Sequence, residues 1–255
     1  MKAIIFLGSL KQKQSDSNSA YIAKLVEKQL LERGFKEVEL FNLRKIQYEP
    51  GVSNVTESGN ADGMTQALAK VLGADCVIFS TPIWWGIHSS LIQALMERMC
   101  YYDDFAIKTA INPLYGKTFG AIISGSDDGF QQITGLLLNF ATNMGFTVPP
   151  DAIVPCVMQD RKDIRTDQRT QQHIELFARN QAAWTQLLRR RKIGAEVQEN
   201  KEPRPDYMSW QPHVSAAKSE PIEPEPVETE PLDEINEPVT MPVIKNHDYM
   251  REQGL

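Results

Sequence analysis

The sequence contains no long apolar run, few cysteines and neither of the common glycine-rich nucleotide motifs. No window approaches the roughly 20 apolar residues of a membrane span, and the first apolar run breaks at Gly8, too early for the core of a signal peptide. The three cysteines, Cys76, Cys100 and Cys156, are odd in number and fit no paired-ligand spacing. We therefore expect a cytoplasmic protein with reduced thiols and no membrane or nucleic-acid partner.

Acidic residues and prolines are concentrated at the end of the chain. The formal net charge is −6, yet the residues from Glu196 onward contain 14 acids and 5 bases, and nine of the fifteen prolines lie beyond Gly194. Such a composition buries too little apolar surface to offset the entropy of ordering. We predict a folded domain over 1–192 and a disordered, acidic, proline-rich tail over 193–255, which is a candidate docking segment for a protein partner.

Residues 1–192 alternate short β-rich runs with amphipathic stretches, a pattern typical of a parallel sheet covered by helices on both faces. The predicted strands are Lys2–Gly8, Val38–Leu43, Asp75–Pro82 and Lys117–Gly125, and Phe146–Pro155 is expected to be a fifth, proline-interrupted strand or strand-like segment. Five strands interleaved with five helices predict a flavodoxin-like doubly wound α/β fold with strand order 2-1-3-4-5. In such sheets, ligands bind beyond the carboxyl ends of the strands.

The loop after the first predicted strand is rich in hydroxyl and amide side chains. A helix N-terminus exposes unpaired N–H groups and the positive end of its dipole, so an anion there gains backbone donors and nearby hydroxyls. The alternative is that Asp16 or Ser17 only caps the helix. The absence of G-x-x-x-x-G-K-[ST] and G-x-G-x-x-G argues against a nucleoside triphosphate or a Rossmann dinucleotide and favours a monophosphate. The candidate residues are Ser9, Lys11, Ser17, Asn18 and Ser19.

Two further loops are expected at the same edge of the sheet. The segment "TPIWWGIHSS" (Thr81–Ser90) has adjacent tryptophans, and neighbours on a strand face opposite sides, so we place at least one indole at the mouth of the site. The alternative is a pair of core or interface aromatics. The loop "SGSDDGFQQ" (Ser124–Gln132) again offers small polar residues, although an aspartate cap on the next helix also explains its acids.

With these loops placed, the sequence resembles the NADPH-dependent FMN reductase and NAD(P)H-dependent oxidoreductase branch of the flavodoxin-like superfamily. The resemblance covers roughly residues 1–155 and is most specific over Ala74–Met99. The family reads Pro-x-Tyr-Trp-Gly, then Ser, then a helix ending in Asp-Arg; matching positions here are Pro82, Trp84, Trp85, Gly86, Ser89 and Glu97-Arg98. Trp84 replaces the usual tyrosine, and Gln93 replaces a common lysine.

The resemblance implies FMN held by its 5′-phosphate in the first loop, with the isoalloxazine ring between the second and third. It implies a hydride passing from NAD(P)H, as co-substrate, through N5 of FMN to a small acceptor such as a quinone in a ping-pong cycle, with no catalytic side chain. A homodimer or homotetramer is also implied, and the absence of cysteine in Arg44–Asp62 argues against the iron–sulfur branch. The cofactor-binding residues would be Ser9, Lys11, Ser17, Asn18, Ser19, Pro82, Ile83, Trp84, Trp85, Gly86, Ser124, Gly125 and Ser126.

Two other functions are compatible with the same sequence. One is a flavodoxin-like electron carrier that serves protein partners without oxidising a nicotinamide. The near-neutral charge of the folded part argues against it, because flavodoxin-type carriers tend to be strongly acidic. The other is an interaction protein that acts through its acidic tail.

Overall fold

The computed structural model describes residues 1–13, 15, 17–125, 128–157 and 167–193. It confirms the predicted architecture: a five-stranded parallel sheet in the order β2-β1-β3-β4-β5, with helices on both faces. The elements run in chain order as β1 Lys2–Leu7, α1 Asn18–Glu32, β2 Glu37–Asn42, a 3-10 turn Leu43–Lys45, α2 Gly63–Gly73, β3 Cys76–Pro82, α3 Ser90–Thr109, β4 Thr118–Gly125, α4 Phe130–Met144, β5 Ile153–Val157 and α5 Gln168–Arg191.

Alternation along the strands divides the core into two layers. In β1, Ile4 and Phe6 pack toward α2, α3 and α4, while Ile5 and Leu7 pack toward α1 and α5. A strand buried on both faces shows a continuous apolar run instead of an apolar–polar alternation, which explains the sequence of β1.

Two helices end at the glycines that the sequence places there. Gly34 (φ +91°) follows α1, with the amide of Phe35 donating to the carbonyl of Leu30. Gly145 (φ +94°) caps α4, and its amide donates to the carbonyls of Ala141 and Thr142. Both lie in the left-handed region that favours glycine, which explains why glycine follows these two helices.

The fifth strand begins later than predicted. Phe146–Pro155 was expected, but β5 spans Ile153–Val157, and only an isolated bridge joins Thr147 to Thr118. Pro149 and Pro150 have no N–H to donate to a strand ladder, and the next residue, Asp151, is left-handed at φ +51°. Pro155 is tolerated within β5 because this is an edge strand.

The predicted tail, 193–255, lies outside the described residues except for its first residue. Within the described part of the chain, no helix has the length and apolarity needed to cross a bilayer.

Candidate functional site

Three loops meet at the carboxyl edge of the sheet. Because β1, β3 and β4 are parallel neighbours, the chain leaves all three at the same edge, after Leu7, Pro82 and Gly125. A cavity of about 160 Å³ lies between these loops. Its lining residues are Ser9, Leu10, Lys11, Ser17, Asn18, Ser19, Pro82, Ile83, Trp84, Ser124 and Gly125.

Four buried serines form the floor of this cavity, and we call Ser9, Ser17, Ser19 and Ser124 the serine cluster. Ser17 is the N-cap of α1: its Oγ accepts from the amide of Ala20 at 3.2 Å and donates to Ser9 Oγ at 2.8 Å. Ser19 Oγ lies 2.7 Å from Ser124 Oγ. The hydroxyl pairs therefore lie around the start of α1, and one of them joins α1 to the end of β4.

The electrostatics of the serine cluster favour an anion. By helix geometry, the amides of Asn18 and Ser19 have no acceptor inside α1. The positive end of the helix dipole lies at the same point. Lys11 is the one charged side chain among the described lining residues. Hydroxyls, amides and one ammonium group are the donors that bind a phosphate at a helix N-terminus.

The opposite wall of the cavity is apolar. Leu10, Pro82, Ile83 and Trp84 line it, and the indole of Trp84 remains 46% exposed. The amide of Ile83 donates to the carbonyl of Ser124 at 2.9 Å, which extends the pairing of β3 with β4 into the wall. A polar floor and an apolar wall suit a ligand with an anionic end and a flat apolar end.

The cavity is smaller than a typical ligand pocket, which measures about 300–1,000 Å³, so it encloses only one end of a cofactor-sized molecule. A larger cavity of about 510 Å³ lies between α1 and α5, lined by Leu25, Gln29, Gln171 and neighbouring residues. We assign the site to the smaller cavity, because the larger one lies between two helices away from the strand ends and has no comparable convergence of hydroxyls.

Two glycine contacts hold the second and third loops together. A Cβ on Gly129 would lie 2.5 Å from the carbonyl carbon of Gly86 and closer still to its oxygen, and Gly129 has φ +94°. A Cβ on Gly125 would lie 2.9 Å from the Cβ of Ile83. The turn after Trp84 therefore rests directly on the backbone of the loop that follows β4.

Replacing Gly129 by alanine is expected to destabilise the fold by about 2–4 kcal/mol, because it combines backbone overlap with left-handed strain. We also expect weaker ligand binding in the cavity, since the apolar wall must shift. Gly135→Ala is the matched control: this glycine lies within α4 with nothing within 4 Å of a Cβ, so a gain of about 0.4–1 kcal/mol is expected. Chemical denaturation and ligand titration measure the two effects. Equal changes in the Gly129→Ala and Gly135→Ala variants would contradict the close contact between Gly129 and Gly86.

His88 and Ser89 lie just before α3 and are both buried. His88 Nε2 and Ser89 Oγ have no hydrogen-bond partner within the described structure. Burial lowers the pKa of His88, and a hydrogen bond with Gln93 opposes this only in part, so the imidazole is neutral at neutral pH. A Cβ on Gly8 would lie 2.7 Å from Ser89 Oγ, which explains why the first loop opens with glycine.

Ten of the thirteen residues predicted to bind a cofactor line this one cavity. Trp85 and Gly86 do not line it, because they form the tip of the turn beyond Trp84, and Ser126 lies outside the described residues. Sequence reasoning missed Leu10 in the wall and Gly129 behind it. Leu10 directly follows the Gly8-Ser9 pair, which was the available signal, whereas the contact of Gly129 with Gly86 depends on the folded loops.

The sequence profile of the family described as NADPH-dependent FMN reductase matches residues 1–158. Among curated proteins, 8-demethyl-8-aminoriboflavin-5′-phosphate synthase from Streptomyces davaonensis is 32% identical over 85 residues, which is 33% of this chain and 33% of the synthase. The alignment thus spans about a third of that relative's length.

Solved structures share the fold at low sequence identity. The crystal structure of RosB with bound 8-demethyl-8-formylriboflavin-5′-phosphate superposes with a TM-score of 0.67 at 19% identity, covering 95% of this chain and 99% of RosB. The apo form of the NADH:FMN oxidoreductase EMOB gives a TM-score of 0.54 at 14% identity, covering 71% of this chain and 88% of EMOB.

Proposed function

The chain belongs to the NADPH-dependent FMN reductase family, and from that premise we propose that it is an FMN-dependent NAD(P)H oxidoreductase that reduces a small acceptor. Family membership supports the coarser description, a flavin-dependent oxidoreductase with FMN as its cofactor. The observation that carries the proposal is the cavity at the sheet edge, where a buried serine cluster at the start of α1 faces an apolar wall.

The residues present fit FMN. The serine cluster, the first amides of α1 and Lys11 supply the donors that a 5′-phosphate needs, and Ile83 and Trp84 supply an apolar surface for a planar ring. The bound flavin supplies the two-electron chemistry, as cofactors of this type do. The protein residues bind, orient and shield it, and no side chain of the described site is assigned an acid–base role.

We further propose that NAD(P)H and the acceptor use the same cavity mouth in turn. The cavity lies between the three loops, and Trp84 forms part of its open edge. Initial rates at several fixed acceptor concentrations should then give parallel double-reciprocal plots, measured with NADH and NADPH separately. Intersecting lines would argue for simultaneous binding, and the absence of nicotinamide oxidation would favour the electron-carrier or interaction function.

A second candidate is supported by the synthase similarity at 32% identity. The name of that relative describes the formation of a modified riboflavin phosphate, so FMN itself is the candidate substrate. Mass spectrometry of the flavin recovered after turnover separates the two functions. The oxidoreductase returns FMN of unchanged mass, whereas a flavin-modifying enzyme returns a flavin of altered mass.

A further inference from the structure

The tip of the loop after β3 is a two-residue β-turn. The amide of Trp84 donates to the carbonyl of Ile87 at 2.8 Å, and the amide of Ile87 donates back at 3.0 Å. The two residues between them, Trp85 (φ +50°) and Gly86 (φ +78°), are both left-handed. This is the backbone of a turn that strongly prefers Asn-Gly, so tryptophan at position 85 is unfavourable for the local backbone.

Among the described residues, the Trp85 side chain gains little packing in return. It is 96% exposed, and its ring takes part in none of the aromatic pairs of the described residues. Leu10 and Trp84 line the cavity, and Ile87 pairs with Trp84 across the turn; all three are about half exposed. With Trp85, we call these residues the apolar rim. A strained residue that is 96% exposed and makes no ring contact with the described residues is a candidate for a functional contact.

The turn that carries Trp85 is well supported. Gly86 rests on Gly129 so closely that no Cβ fits between them, and Ile83 packs against Gly125 in the same way. The indole is therefore presented from a turn whose Gly86 backbone rests on Gly129 and whose preceding residue, Ile83, packs on Gly125. A tryptophan offers a large flat surface at low entropic cost, which suits the recognition of another planar ring.

We propose that Trp85 is a specificity-determining residue that stacks on the second substrate, a planar aromatic electron acceptor, at the mouth of the cavity. This assignment rests on the proposed function. The assignment gives the two tryptophans different roles, since Trp84 lines the cavity and Trp85 lies outside it. A rim of four side chains is small beside the 20–30 residues per side of a stable protein interface, which favours a small ring over a second copy of the chain as its occupant.

The test is Trp85→Asn, which removes the ring and installs the Asn-Gly pair that this turn prefers. In the FMN-loaded full chain, the ratio of kcat/KM for 1,4-naphthoquinone to that for ferricyanide, which has no aromatic ring, should fall about tenfold. We expect the FMN dissociation constant to change less than threefold and Tm to be equal or higher. Trp85→Tyr should restore most of the ratio, and Trp184→Gln, on α5, should leave it unchanged.

Equal ratios in wild type and Trp85→Asn would overturn the assignment, as would an equal loss with both acceptors. A lower molecular mass of the variant by light scattering would assign Trp85 to a subunit contact instead. Equilibrium dialysis of naphthoquinone against the FMN-loaded protein, with no nicotinamide present, should show about tenfold weaker binding to the variant. Dialysis needs no turnover, so it tests Trp85 independently of activity. A wild-type protein that fails to oxidise NAD(P)H would overturn the proposed function but not the assignment of Trp85.

Discussion

Replacing Ser17 and Ser19 together by alanine is expected to weaken FMN binding about 100-fold. Each hydroxyl belongs to the serine cluster at the start of α1, which we propose as the binding site of the FMN phosphate. A hydrogen bond to a charged group contributes about 1.5–3 kcal/mol, and two of them correspond to about 100-fold or more in affinity, since each 1.4 kcal/mol is about tenfold. Quenching of flavin fluorescence on titration measures the change.

The same double variant loses a helix cap, since Ser17 Oγ accepts from the amide of Ala20. A cap contributes about 1 kcal/mol, so stability must be measured beside affinity. Asp167→Ala is the matched control, because Asp167 caps α5 through the amides of Arg169 and Thr170. It should lower stability similarly and leave FMN affinity unchanged. Unchanged FMN affinity in the serine variant would mean that the first loop caps α1 and does not bind the phosphate.

Replacing Arg98 by methionine is expected to destabilise the fold by about 3–5 kcal/mol, the typical cost of leaving one member of a buried ion pair alone. The Arg98 side chain is only 1% exposed and pairs with Asp62. It also donates to the carbonyls of Ser53 at 2.7 Å and Glu49 at 3.1 Å. Asp62 caps α2 through the amide of Thr65. The Arg98 guanidinium therefore contacts three points of the connection between β2 and α2. Urea denaturation measures the loss.

An exposed ion pair supplies the control for Arg98. Arg189 pairs with Asp75 at 2.7 Å, but its side chain is 51% exposed, and pairs of this kind contribute at most about 1 kcal/mol. Arg189→Met should therefore have a small effect. An equally small effect of Arg98→Met would contradict the anchoring role of Arg98.

The contribution of Arg98 should also depend on pH. Desolvation raises the pKa of Asp62, but amide hydrogen bonds from Thr65 and Glu49 and the charge of Arg98 outweigh it, so the pKa lies below its ordinary value of 3.8. A lowered carboxyl pKa stabilises the fold above that value and loses this effect as pH falls through the folded-state pKa. The stability difference between wild type and Arg98→Met should thus shrink below about pH 4.

The strands and the site loops were predictable because they depend on local patterns, and the strand order followed from the alternation of five strands with five helices. The apolar runs of β1, β3 and β4 and the polar loops after them are contiguous in sequence, and a parallel sheet brings their ends to one edge. The start of β5 was misplaced because strand propensity was extended across Pro149 and Pro150, which the sequence shows, whereas the left-handed Asp151 is seen only in the folded backbone.

Tertiary contacts explain what the sequence reasoning missed at the site. Trp84 and Trp85 are adjacent, and only the left-handed turn shows that one lines the cavity while the other faces solvent. Arg98 stood out only as part of a family resemblance, because its partners lie 36 to 49 positions away in the chain. Contacts between residues so far apart in the chain cannot be predicted from a local sequence pattern.

Anaerobic titration of the full chain, reconstituted with FMN and followed by its visible absorption, is the sharpest test of flavin binding and reduction by this protein. FMN should stay with the protein through gel filtration, and NADPH should bleach its absorption band. The serine double variant should retain far less flavin under the same conditions. Failure of the wild-type protein to retain any flavin after incubation with FMN would contradict FMN binding at the serine cluster.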